Sequence, residues 1–340
     1  MTFGPAGPAA AQELFPRIAL PDRIDPQAVR SCVAGLPVTR LSGPTMGTTW
    51  RLHAVLPEGL TASGVSAVIA ERLETLVAQM SHWEPASTLC RFNRARAGSW
   101  QTLPHDFAKV MQVALAIAEA SDGAFSPAIG RLVDLWGFGP PGPVARAPDE
   151  AQIAQAHAPS DWRLLAFEPD TGRLRQPGGL SLNLSAIAKG YAVDALAEEL
   201  TRLGVVHLLV EVGGELVGRG LRPDGQPWWV DLEAPPGAAL PGLRVALHGL
   251  AVATSGSYVR GPHNLDPRSG QPAQSGVVAC SVLHDSAMVA DAWASAFSVL
   301  DVEAGLALAV RLELAVRWIA RDGTGWRETI SPALARMLAD

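Results

Sequence analysis

The chain has only two lysines, Lys109 and Lys189, among its 27 Lys and Arg residues. Arginine preference of this kind follows from GC-rich codons, yet a lysine kept in such a chain draws attention. Lys189 lies in Asn183-Leu184-Ser185-Ala186-Ile187-Ala188-Lys189-Gly190-Tyr191-Ala192-Val193-Asp194, where a strand end is expected to run into a helix. Free N–H groups at a helix start suit phosphate, and Lys189 adds positive charge there. The G-x-x-x-x-G-K-[ST] pattern of a Walker loop is absent. A capped amphipathic helix with a chance lysine has the same appearance. Further along, Asp291 and Ser295 are four residues apart on a predicted helix and share a face. One carboxylate and one hydroxyl suit Mg²⁺, which takes oxygen ligands and shares its shell with phosphates and water. The same spacing also describes a plain polar helix face.

Other segments offer ring surfaces and backbone donors. Trp83, in Met80-Ser81-His82-Trp83-Glu84-Pro85, has a large π face for stacking on a flat ring. Its neighbour His82 reads as a surface or capping histidine. Ser87-Thr88-Leu89 and Arg91-Phe92-Asn93 follow. Asp122-Gly123-Ala124-Phe125-Ser126-Pro127, then Gly130 and Leu135-Trp136-Gly137-Phe138-Gly139, bracket a short helix with Gly and aromatic residues, either a ring-binding pocket or the packing of a bent segment. Thr45-Met46-Gly47-Thr48-Thr49-Trp50 heads a strand, and Gly47 admits close approach of a ligand or another backbone. Glu211-Val212-Gly213-Gly214-Glu215-Leu216 puts two glycines between strands. Ala253-Thr254-Ser255-Gly256-Ser257-Tyr258 supplies donors for a phosphate or base edge. His263, beside Asn264 and the turn Asp266-Pro267-Arg268-Ser269-Gly270, could act as a general base or bond a ligand edge.

The elements that must position these residues follow from periodicity. Apolar residues at helical spacing predict helices over Ser63–Met80 and His105–Ser121, the latter stopping at Asp122-Gly123. Shorter helices are expected at Asp149–His157, after a Gly/Pro-rich loop at 137–150, and at Ser286–Leu300. The helix carrying Lys189 is expected over Ser185–Leu203. Strands are expected at Thr45–Val55 after a Gly43-Pro44 turn, at Val205–Val212, and in short runs at Glu215–Gly220, Trp228–Glu233, Leu243–Leu247, Ala251–Thr254 and Val277–Leu283. Leu314–Ile319 and Trp326–Ile330 close the chain, and Leu164–Pro169 with Leu174–Pro177 form a hairpin. Strands grouped together and helices grouped together predict an α+β fold. Residues 1–40, rich in Pro and Ala, are expected to form an irregular or partly extended arm.

Composition removes several function classes. In 340 residues, 48% are apolar and 18% charged, which supports a real core. The net charge of −6, without a basic stripe, argues against nucleic acid. No run offers the roughly 20 apolar residues of a membrane helix. Cys32, Cys90 and Cys280 form neither a disulfide framework nor a zinc spacing. Met1–Phe15 lacks a basic start and an apolar stretch, so a cytoplasmic protein is expected, or a periplasmic one if the start codon lies elsewhere.

Taken in order, these seven segments resemble the ApbE family, the FAD:protein FMN transferases. The resemblance runs from about Thr45 to Leu300. It rests on M-G-T, S-x-[FYW]-x-P-x-S-x-L-x-R-F-N, G-x-F-x-P-x-[VI]-G-x-L-x-x-x-W-G-F-G, I-A-K-G-Y-x-V-D, G-G, A-T-S-G and H-x-x-D-P-x-[TS]-G. It implies an ApbE-like fold of mixed and antiparallel sheets with flanking helices over residues 41–340, with the FAD site between subdomains. It also implies a reaction. With Mg²⁺ on the pyrophosphate of FAD, a Ser or Thr hydroxyl of a target flavoprotein, a redox enzyme subunit, attacks the phosphorus on the FMN side. FMN becomes phosphoester-linked and AMP leaves. By the same resemblance, Met46, Trp83, Ala124, Phe125 and Ser126 contact flavin and FAD, and Asn183 and Lys189 make polar contacts to it. Ala186 through its carbonyl, Asp291 and Ser295 are the implied metal ligands. His263 and Asn264 fall where the family contacts FAD, and His263 is the candidate base. The catalytic set is therefore His263, Asp291 and Lys189. Ser126 and Asn183 stand where Asp is usual, and Ser295 where Thr is usual. A pyrophosphatase giving FMN and AMP, and a non-catalytic FAD-binding or delivery protein, are the alternatives.

Overall fold

A computed structural model describes residues 16–258, 264–323 and 325–338. The chain opens with β1 (Arg17–Ala19) and α1 (Pro26–Ser31), then a hairpin of β2 (Thr39–Thr45) and β3 (Thr48–Ala54). Helices α2 (Ala62–Met80) and α3 (Thr88–Asn93) follow, then β4 (Trp100–Thr102), α4 (His105–Ala120), α5 (Gly130–Leu135) and α6 (Glu150–His157). Next come β5 (Ala166–Glu168), β6 (Arg173–Arg175), α7 (Ala188–Arg202), β7 (Leu208–Val212) and β8 (Glu215–Arg219). The chain continues through β9 (Trp228–Asp231), β10 (Leu243–Leu247), β11 (Leu250–Gly256), β12 (Leu265–Asp266), β13 (Gln271–Pro272) and β14 (Val277–His284). It ends with α8 (Ala287–Val299), α9 (Val302–Arg311), β15 (Ala315–Asp322), β16 (Gly325–Ile330) and α10 (Pro332–Met337).

The centre is an eight-stranded sheet in the order β16-β15-β14-β11-β8-β7-β3-β2, antiparallel at every pairing. Strand alternation gives it two buried faces. On β11, Ala251 and Ala253 join the larger core with α2, α4, α7 and α8. Leu250 and Val252 point to a smaller core with Trp228, Leu243 and Val245 of the three-stranded sheet β1-β10-β9. This is the expected α+β arrangement of helices over antiparallel sheet. No helix among the described residues is long and apolar enough to cross a membrane.

Polar caps set where the helices begin. Thr61, Ser286, Asp301 and Ser331 each accept an N–H of the first turn of α2, α8, α9 and α10. Asp149 and Gln152 make a reciprocal capping box on α6.

Three expectations change. The strand expected at Thr45–Val55 is β3, starting at Thr48, and a second strand, β2, precedes it, because the turn falls at Met46-Gly47, with φ of +47° and +71°. Two left-handed residues match the twist of a tight hairpin. Gly43 and Pro44 instead pair with Trp50 and Thr49 inside the ladder. A Cβ on Gly43 would lie 2.7 Å from the Trp50 indole nitrogen, so glycine there serves packing and not a turn. The Lys189 helix begins at Ala188 and not Ser185. Asn183 Oδ1 accepts the Ser185 N–H at 2.9 Å, and the Leu184 carbonyl accepts from Ile187 and Ala188, so the preceding turn is a separate, tighter one. Of the arm at 1–40, the described part is ordered: β1 pairs in parallel with β10, and α1 is capped by Asp25. Its backbone finds partners that composition does not reveal. The Asp25 N–H donates to His248 Nε2 at 2.8 Å.

Candidate functional site

The segment Asn183–Asp194 is the hub. The Asn183 N–H donates to the Pro127 carbonyl at 2.8 Å, bringing Ala124-Phe125-Ser126 alongside. Asn93 and Leu182 exchange two hydrogen bonds, Asn93 Nδ2 to Leu182 O and Leu182 N to Asn93 Oδ1. His82 Nδ1 lies 3.4 Å from Ser185 Oγ, which places the Trp83 loop at the start of α7. The turn Gly213-Gly214 folds against the same place. A Cβ on Gly213 would lie 2.8 Å from Thr48 Cγ2 and 3.4 Å from Lys189 Cδ, so the Met46-Gly47 hairpin, β7–β8 and α7 meet at the lysine stem. Helix α8 completes the set. The Gly190 N–H, a first-turn donor of α7 with no partner inside the helix, donates to Asp291 Oδ2 at 3.0 Å.

The charged centre is Lys189 with two carboxylates. Its Nζ is 2.6 Å from Glu215 Oε1 and 3.7 Å from Asp291 Oδ1. The Glu215 and Asp291 side chains are 5% and 7% exposed. Burial pushes both carboxyls up, while the Lys189 ammonium pulls both down. Glu215 Oε2 is buried without a hydrogen-bond partner among the described residues. Ser295 lies one turn after Asp291 on α8, half-buried. Asn264 Nδ2 donates to Ser255 Oγ at 3.2 Å and Ser298 Oγ at 2.9 Å, and Ser298 Oγ donates back to the Ser295 carbonyl. Asn264 is thereby tied to the end of α8. His263 lies outside the described residues.

No cluster of three or more His, Cys, Asp or Glu with the makings of a metal site occurs among the described residues. The groups that the family resemblance assigns to a cation, Asp291, the Ser295 hydroxyl and the Ala186 carbonyl, offer oxygen only. This fits a hard cation that completes its shell with water and phosphate. The buried negative charge and the orphaned Glu215 oxygen point the same way, since a buried charge needs a counter-charge.

The aromatic and small residues divide by exposure. Trp83 is 59% exposed, its ring 5.1 Å from that of His82. Ala124, Phe125, Ser126 and Asn183 are buried. Ser126 Oγ accepts the Ala128 N–H at 3.1 Å and Asn183 Oδ1 the Ser185 N–H, bonds an aspartate oxygen makes equally well. The two departures from Asp therefore keep their local turns. Met46 lines an open cleft of about 440 Å³ between the hairpin and α2, with Leu73, Val77 and Glu84 among its walls. That cleft includes neither Lys189 nor Asp291. Burial holds His82 down to about 4, so its ring is neutral at neutral pH.

Two residues of the site were not anticipated from the sequence. Glu215 entered only through the adjacent glycines, and the strand it heads, which also carries Arg219, gave no signal of its role. Asp194 accepts the Ser286 hydroxyl and the Ala287 and Met288 N–H groups at 2.6, 2.8 and 3.0 Å, capping α8 from α7.

Residues 46–318 match the model of the ApbE family. The FAD:protein FMN transferase of Klebsiella pneumoniae (strain 342) is 32% identical over 313 residues, 88% of this chain and 89% of that protein. The FAD:protein FMN transferase of Vibrio cholerae serotype O1 is 32% identical over 309 residues, 88% of this chain and 92% of that protein. Among solved structures, the apo form of Pseudomonas stutzeri flavinyl transferase ApbE superposes with a TM-score of 0.83 at 35% identity, covering 89% of this chain and 97% of that one. The flavin transferase ApbE from Vibrio cholerae gives 0.82 at 31% identity, covering 88% and 99%.

Proposed function

This chain belongs to the ApbE family, and from that premise we propose that it transfers FMN from FAD to a Ser or Thr hydroxyl of a target flavoprotein, releasing AMP. The observation that carries this reading is the convergence of the family motifs on one buried centre, Lys189 with Glu215 and Asp291. In the step, the acceptor oxygen forms a bond to the FMN phosphorus. The bond from that phosphorus to the bridging oxygen breaks, and the electron pair leaves with AMP. The hydroxyl proton passes to a base, for which His263 is the candidate.

The chain's own residues bind and orient. Lys189 presents an ammonium to the pyrophosphate, where charge builds on the leaving oxygen. Asp291 Oδ1, Ser295 and the Ala186 carbonyl are the oxygens that would hold Mg²⁺. When bound, that ion offsets phosphate charge and orients the pyrophosphate. Trp83, exposed at the mouth, offers its face to a flat ring. Met46 and residues 124–126 would confine the substrate, while Asn183 holds the turn before α7 and Asn264 ties the end of β11 to the end of α8. Holding the reactants in line supplies much of the acceleration.

Mass spectrometry of an acceptor domain incubated with this protein, FAD and Mg²⁺ tests the reading. The expected result is a mass gain equal to FMN that EDTA prevents. AMP release without mass gain would make the protein a pyrophosphatase, and FAD retention with no AMP would leave a binding or delivery protein.

A further inference from the structure

Resting on the Mg²⁺ reading above, we propose that Glu215 is a positioning residue that draws the Lys189 ammonium off Asp291 and so keeps Asp291 Oδ1 open for the divalent cation. Asp291 has two oxygens. Oδ2 is engaged by the Gly190 N–H at 3.0 Å. Oδ1 is the oxygen left for a cation, and Lys189 Nζ stands 3.7 Å from it, just beyond hydrogen-bond reach. What keeps the ammonium there is Glu215 Oε1 at 2.6 Å. The Gly213 turn lies close against the lysine stem, a Cβ there falling 3.4 Å from Lys189 Cδ, and both carboxylates are within ion-pair reach of the ammonium.

Glu215 has no other assignment in the site. It heads β8, paired with Val212 in the central sheet, and its side chain is almost wholly buried. A buried carboxylate without a purpose would be costly, and replacement by an apolar residue would be the simpler solution. Charge gives the same result as geometry. Two carboxyl groups face one ammonium, a balance that leans towards negative charge and favours a divalent cation. Without the Glu215 carboxylate, the ammonium still has that of Asp291 within ion-pair reach.

The test is a double-mutant cycle on Mn²⁺ binding to the full chain without FAD, read by the EPR signal of free Mn²⁺, so that no turnover is needed. Glu215→Gln is expected to weaken binding roughly tenfold or more, as expected for a change of one charge at close range. Adding Lys189→Met to Glu215→Gln is expected to restore binding to near the wild-type level, because the competing ammonium is gone. Recovery in the double variant also shows that Glu215→Gln folds. If the double variant stays as weak as Glu215→Gln, Glu215 is a ligand or a structural prop and the proposal is overturned. Unchanged binding in Glu215→Gln overturns it as well. The metal reading itself is judged separately by Asp291→Asn. Loss of Mn²⁺ there supports it, and wild-type affinity there, or none in the wild type, removes the metal reading and this inference with it.

Discussion

Asp106 accepts hydrogen bonds from both terminal guanidinium nitrogens of Arg72 at 2.7 and 2.6 Å, from the Gln79 amide at 3.1 Å, and from the Tyr191 hydroxyl. Burial alone would raise its carboxyl, but the Arg72, Tyr191 and Gln79 donors outweigh it and hold it at about 2, against 3.8 for an ordinary aspartate. The native state thus binds this proton less readily than the unfolded chain, so stability rises with pH across the window between the two values. The contribution is full above about pH 4, is lost as pH falls towards 2, and amounts to roughly 2 kcal/mol. Asp106→Asn should therefore be less stable than wild type at neutral pH, with the gap closing between pH 4 and 2 in urea denaturation. A gap that does not change with pH would show that the charge of Asp106 is not what the network uses. Tyr191 is two residues after Lys189, so this network anchors the first turn of α7 to α4 and α2.

The α7–α8 pair positions the charged centre, and its close approach depends on one small residue and one cap. A Cβ on Gly190 would lie 2.2 Å from the Ala287 carbonyl and 2.8 Å from Asp291 Cβ. Gly190→Ala must push the helices apart and is expected to cost about 3 kcal/mol or more. Asp194, one turn later, holds the α8 N-terminus through three bonds, and Asp194→Ala leaves two buried N–H groups unpaired, at about 2–4 kcal/mol. Asp194→Asn retains an acceptor and should fall between. Urea unfolding of the three variants gives the order directly, and wild-type stability in Gly190→Ala would mean that the helices are not locked at this crossing. Because Lys189 and Asp291 sit on opposite helices of the pair, all three variants should also change the spacing between them.

The molecule as a whole has two cores separated by one sheet. Residues alternating along β11 belong to each in turn, so neither core can open without exposing the other face of the same strands. Leu243→Ala, in the smaller core on β10, should lower stability by about 2–5 kcal/mol. It should leave a single transition in which tryptophan fluorescence and far-UV circular dichroism coincide. Two separated transitions would show that the β1-β10-β9 sheet unfolds as its own unit. The described part of the arm belongs to this picture. Ser31 Oγ lies 3.2 Å from His207 Nε2 and the Asp25 N–H bonds His248 Nε2, so α1 is clipped to the residues just before β7 and between β10 and β11.

Much of this was readable before any coordinates. Helices α2 and α4 announce themselves by apolar spacing over four or more turns, and β8, β10 and β16 by short runs between turn residues. The family motifs named the residues around Lys189 because each contains a local requirement that a string can carry: a glycine for close approach, an Asx turn, a helix start. The hairpin at Met46-Gly47 was missed because Gly43-Pro44 is the stronger local turn signal, and only pairing across β2 and β3 decides between them. The order within residues 16–40 was missed for a similar reason, since its bonds reach His207 and His248 far along the chain. Glu215 and Asp194 belong to the same class. Each acts on a residue roughly 25 to 100 positions away, and nothing in its own neighbourhood distinguishes a partnered carboxylate from a solvated one. Sequence alone therefore determined the family, the fold class and the chemistry to be expected. The tertiary structure decided which charge faces which, because burial and distance are properties of the packed chain and not of any segment in it.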